Sequence, residues 1–153
     1  MTSRVYEVGA SEREKLKKLL TYDPYLDPNL IPKTKEYDEK ELSKMSEEQK
    51  KQIAEQDAKA KSASEKLRND PMMNVIFARQ TCDLRDGRAL GLEDDKSYVL
   101  ITATDDFLNL AEQKFKKEFT TVKRAPSEIE QKFIALKEEE ENKANAGFGA
   151  IFG

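Results

Sequence analysis

SYVLITATDDFLNLAEQKFKKEF, residues 97–119, decides the fold. Its first seven residues carry no charge and are rich in β-branched and aromatic side chains, the composition of a strand. At Thr104 the pattern changes. Threonine is a helix-capping residue, and Asp105 and Asp106 follow where the positive end of a helix dipole favours carboxylates. Phe107, Leu108, Ala111 and Phe115 then recur at helical spacing, so one face of the helix must find a core.

Working outward, TTVKR (120–124) reads as a short returning strand. Pro126 and Ser127 open a last helix that turns Ile129, Phe133 and Leu136 inward and ends near Gly147. On the other side, DLRDGRAL (83–90) holds the turn dipeptide Asp86-Gly87, and MMNVIFARQ (72–80) reads as a further strand. Residues 71–146 are therefore expected to form an α+β core domain. It has a small, mostly antiparallel sheet in the order β-β-β-α-β-α, with helices covering one face.

The preceding chain reads as a helical, proline-strapped N-terminal arm. In residues 1–33, Val5, Tyr6 and Val8 make a short strand or an extended arm, and Ser11 with Glu14 has capping-box spacing for a helix over 12–20. Pro24, Pro28 and Pro32 recur every four residues and exclude a helix. With Tyr22, Tyr25, Leu26, Leu30 and Ile31 between them, they predict an extended strap lying in a groove of its own fold or of a partner. Residues 34–70 form a charged helical segment. From Lys33 to Asp70 there are 10 basic and 10 acidic residues. Ser46 and Gln49 form a second capping-box spacing, opening a helix to about Asn69. Its seam of Ile53, Ala60 and Leu67 is too narrow to anchor a core, so it reads as a solvated spacer. The tail, GFGAIFG (147–153), offers Phe148, Ile151 and Phe152 in a glycine-rich segment that predicts neither helix nor strand.

Composition excludes whole classes of chemistry. The 153 residues include no His, one Cys, 27 Lys+Arg and 30 Asp+Glu, with 37% charged residues. Imidazole acid–base catalysis and imidazole metal sites are absent, and one thiol closes no internal disulfide. A net charge of −3 gives no basic footprint for nucleic acid. No run is long and apolar enough to span a membrane. The expectation is a soluble cytoplasmic protein, monomeric on its own, with no cofactor, no nucleic acid and no membrane insertion.

Several groups of residues offer candidate chemistry. Cys82 is the redox candidate, although Asp83 beside it disfavours the thiolate. In residues 83–95, Gly87 at the sixth position of a calcium loop would put Cys82 and Leu84 where oxygen ligands belong, so the register fails. Gly87 and Gly91 are too sparse for a phosphate loop. Asp105 and Asp106 read as helix-capping carboxylates. The helix 12–20 and the cluster Lys114, Lys116, Lys117 carry local positive charge with acids close by.

The Lys/Glu-dense helices, the lack of His, the compact β-α-β piece and the ending GFGAIFG together resemble small, uncharacterised cytoplasmic accessory proteins of anaerobic archaea, methanogens included. The resemblance implies an accessory factor docked on a large energy-metabolism complex. One such host is the methyltransferase that passes a methyl group from tetrahydromethanopterin to coenzyme M. It places no individual residue.

The expected function is a non-enzymatic accessory or regulatory protein that binds a larger protein complex, conditionally on redox state or stress. Its anchors are Tyr22, Tyr25, Leu26, Leu30, Ile31, Phe148, Ile151 and Phe152. The alternative is a small-ligand or divalent-cation-binding domain using the acidic loop residues.

Overall fold

The computed structural model describes residues 1–152, with side chains through residue 147. The fold is α+β. Four strands, β1 (Thr2–Val8), β2 (Thr81–Asp86), β3 (Ser97–Ala103) and β4 (Lys123–Arg124), form an antiparallel sheet in the order β2-β3-β1-β4. Five α-helices accompany them: α1 (Arg13–Thr21), α2 (Glu39–Ser43), α3 (Glu47–Arg68), α4 (Asp105–Glu118) and α5 (Ser127–Phe152).

The chain divides into two compact units, residues 1–22 with 77–153, and residues 23–76. The expected division into a 1–33 arm, a 34–70 segment and a 71–146 domain is thereby redrawn. β1 is no appendage: Thr2 pairs with Ala103 and Val8 with Ser97, which puts it in the middle of the sheet. Conversely, residues 72–80 are not a strand. The Asp70 carboxylate accepts from the Met72 amide at 3.1 Å, and the Asn74 side chain donates to the Leu67 and Asp70 carbonyls at 2.7 Å each. These local bonds hold the backbone in turns, and a 3-10 turn, Phe77–Arg79, leads into β2 instead.

The helices cover both faces, not one. On the first face, Val5, Tyr98 and Leu100 pack with Ala125 and Phe133, and Ile129 and Leu136 of α5 close over them. On the other face, Tyr6 meets Phe115 of α4 edge-on at 5.2 Å. Phe77 stacks on Phe115 at 5.3 Å, while Leu16, Leu108 and Ala111 are fully buried. Alternate residues of β3 thus feed two cores, which is why its sequence is an unbroken apolar run instead of an alternating one.

Helix ends follow their caps. Ser46 and Gln49 form the expected capping box, at 3.2 and 3.1 Å, and Thr104 Oγ1 accepts from the Phe107 amide at 3.2 Å. The Ser11–Glu14 box does not form, because a 3-10 turn, Ala10–Glu12, precedes α1 and Glu14 pairs with Arg13. α5 runs past Gly147 to Phe152, against the expectation of a non-helical tail. A helix already nucleated adds each residue with its own hydrogen bond, and a glycine costs only about 1 kcal/mol relative to Ala.

Glu12 fastens the first helical turn to the loop after α4. Its carboxylate accepts from the Thr120 amide at 3.0 Å, from the Thr121 amide at 2.6 Å and from both threonine hydroxyls. The Thr121 hydroxyl, with those amides, holds the carboxyl down to about 2 from an ordinary 4.5. A depressed folded-state value means stabilisation that is complete above pH 4.5 and is lost as pH falls toward 2. Melting curves across that window should therefore drop more steeply for the wild type than for Glu12→Gln. Parallel curves would show that the cradle contributes nothing.

Both connections to the 23–76 unit leave from one place in the first unit, since α1 packs against the 3-10 turn Phe77–Arg79. Residues 23–76 are therefore an insertion. Replacing them by a linker of about six Gly/Ser residues should leave a cooperatively folding α+β domain. A truncated chain that lacks a sharp thermal transition would show that the insertion is part of the fold.

Candidate functional site

The segment expected to be an extended strap is instead a folded knuckle. Asp23-Pro24 and Asp27-Pro28 repeat the same device four residues apart. The Asp23 carboxylate accepts from the Tyr25 amide at 3.0 Å, and proline supplies the φ that a tight turn needs. The Leu26 amide then donates to the Asp23 carbonyl at 3.0 Å. Asp27 does the same for the Asn29 amide at 2.9 Å, and the Leu30 and Ile31 amides close on its carbonyl at 3.1 and 3.0 Å. Proline therefore does not extend the chain here, because each one sits behind an aspartate that caps a turn.

The knuckle is bolted down within its own unit. Tyr25 Oη donates to Asn74 Oδ1 at 2.7 Å, and the Asn74 amide nitrogen in turn donates to the Leu67 carbonyl in the last turn of α3 and to the Asp70 carbonyl just beyond it. Leu30, 38% exposed, borders a groove of about 480 Å³ whose far wall is Lys59, Ala63 and Leu67 of α3. The C-terminal end of the α3 seam, Leu67, thus lies along the knuckle's own flank. What remains outward is Leu26, 78% exposed on the 3-10 turn Pro24–Leu26.

Tyr25, Leu26, Leu30 and Ile31 are brought together. Tyr22, 39% exposed, caps α1 in the other unit. Phe148, Ile151 and Phe152 occupy the last turns of α5, and their side chains lie outside the described residues. Sequence reading missed Asn74, whose role rests on a contact 49 positions away. It also missed Leu42, 37% exposed, which with Tyr37 and Ile53 lines a hollow elsewhere in this unit.

No protein-family model, no curated protein and no solved structure matches the chain.

The remaining candidates are occupied by structural work. Cys82 Sγ lies 3.6 Å from the Phe77 carbonyl, and burial pushes the thiol up to about 11. A thiol held protonated is a poor nucleophile and a poor redox handle. Asp83 is clamped by Arg85 and Lys137 at 2.9 Å each, and Asp86 by Arg13 at 2.9 Å. Asp94 accepts from Tyr98 Oη at 2.7 Å and from the Lys96 amide at 3.2 Å. Asp105 approaches Arg4 at 4.0 Å, at the start of the capped helix α4. Among the described residues, no three His, Cys, Asp or Glu side chains gather in a group that could hold a metal ion. Among the same residues, no helix is long and apolar enough to cross a membrane.

Proposed function

We propose that the chain is a non-enzymatic accessory or regulatory protein that binds a larger protein complex, with the knuckle 23–31 as its primary anchor. One observation carries this reading: a leucine 78% exposed on a turn locked by two aspartate caps, two prolines and the Tyr25–Asn74 hydrogen bond. A large apolar side chain held out on a rigid mount loses little conformational freedom on docking, so its burial goes mostly into affinity. Interface energy concentrates in a few such anchors surrounded by contacts worth little individually. The charged surface of α3 would steer the encounter and keep the free protein in solution.

The last turns of α5, with Phe148, Ile151 and Phe152, supply a second anchor in this reading. Any dependence on oxidation comes from the partner, because Cys82 is poorly suited to sense it. The energy-metabolism methyltransferase that the resemblance implies is the first complex to try.

Leu26→Asp tests the anchor directly. Its side chain is so exposed that the fold should tolerate the change within about 0.5 kcal/mol. Capture of the partner from extract of the native host, or of the purified methyltransferase, should fall by about tenfold or more, as a hot-spot loss of 1.4 kcal/mol or greater predicts. Retention at wild-type strength, with an unchanged melting temperature, would remove the knuckle from the interface.

A further inference from the structure

Two lysine-bearing stretches play no part in the knuckle, and the fold joins them. α1 and the end of α4 meet at a shallow groove of about 380 Å³ lined by Lys15, Lys18, Leu19, Tyr22, Glu118 and Phe119. Lys15 Nζ donates to the Glu118 carbonyl and lies 4.6 Å from the Phe119 ring centre. The Glu118 carboxylate is matched by Lys114 at 3.6 Å, which leaves the rim cationic. Lys18 sits exposed in the last turn of α1.

We propose that this groove docks an acidic amphipathic segment of a partner protein. An apolar side chain would rest on Leu19 and Tyr22 while flanking carboxylates meet Lys15 and Lys18. Charge complementarity carries the choice. Lys15, Lys18 and Lys114 stand against the single Glu118 carboxylate, so the rim attracts an acidic segment. A nucleic-acid strand fits less well, because the groove holds two lysines beside a carboxylate and no continuous cationic track for a phosphate backbone. A lipid surface fits less well too, since the groove is lined by two lysines and a glutamate, fewer cations than the clusters of about 4–8 that hold anionic membranes. The inference is independent of the knuckle, and Leu26→Asp leaves it intact.

The test is fluorescence anisotropy on the full chain with a fluorescein-labelled peptide, Asp-Glu-Phe-Glu-Leu-Asp. Its uncharged counterpart, Asn-Gln-Phe-Gln-Leu-Asn, serves as the control. Saturable binding of the acidic peptide that weakens with added salt is expected, with affinity about tenfold lower for Lys18→Glu and intermediate for Lys18→Gln. Circular dichroism on both variants separates lost binding from lost folding. Four results would overturn the proposal: no saturation with the acidic peptide, equal binding of the uncharged one, unchanged affinity in a folded Lys18→Glu, or tighter binding of oligo(dT) or phosphatidylserine vesicles.

Discussion

Phe77→Ala is expected to lower the unfolding free energy by about 3–5 kcal/mol, the cost of emptying an aromatic site in a packed core. Phe77 is 1% exposed and is the residue at which the chain re-enters the α+β unit. It stacks on Phe115 at 5.3 Å with planes 15° apart, and meets Phe107 edge-on at 5.5 Å. Phe115 itself bears on Tyr6 at 5.2 Å and Phe119 at 5.9 Å, so removing Phe77 slackens four other rings. Domains of this size carry about 5–15 kcal/mol in total, so the loss is a large share of it. Urea unfolding would register it as a lower midpoint with little change in slope. A loss below about 1 kcal/mol would mean that the cavity collapses freely and that the aromatic stack is not a keystone. Phe77→Leu, which keeps more of the volume, should lie between.

Gly87→Ala should cost about 1–3 kcal/mol through crowding alone. A methyl group there would run into Asp94 Oδ1 and stand 3.1 Å from the Lys96 carbonyl. Neither neighbour can step aside without loss. Asp94 is held by Tyr98 Oη and the Lys96 amide, and the Lys96 carbonyl accepts from the Gly87 amide at 2.8 Å. Gly91 makes the comparison, since it sits at φ 77° with only the Lys132 side chain near. Its alanine variant pays through backbone conformation instead, by about 1 kcal/mol. Thermal melts of the two should rank Gly87→Ala as the more damaging. The reverse order would mean that the Asp94 carboxylate swings out into solvent at no cost.

Residues 97–119 were legible because both of their periods are undiluted, two apolar cores having demanded it of the strand and one of the helix. β1 was not. Thr2, Ser3, Arg4 and Glu7 make it look like an exposed arm, yet Glu7 is only 4% exposed. What excuses its charge is a pair of lysines, Lys123 at 3.2 Å and Lys96 at 3.6 Å. Arg4 likewise finds Glu112 at 2.9 Å, and Ser3 finds Thr102 at 2.8 Å. Polar residues at a strand centre are readable only with their partners, and these lie about a hundred positions away. The opposite error befell Met72 and Met73, apolar by composition but held in a turn by Asp70. At the knuckle, the prolines excluded a helix, while the aspartates that turn the segment into a folded mount, Asp23 and Asp27, went unread.

A central strand that precedes its partner by about a hundred positions also sets a timetable for synthesis. β1 leaves the ribosome well before the β3 residues that pair with it, the last of which arrives only when position 103 has emerged. At roughly 5–20 residues per second, Val5, Tyr6 and Val8 stay unpaired for on the order of ten seconds. During that wait the nascent chain extrudes residues 23–76, whose turns and helices close within the segment and need nothing from β3. Of the two units, the insertion is thus the first able to take its shape, and the sheet pairs only afterwards.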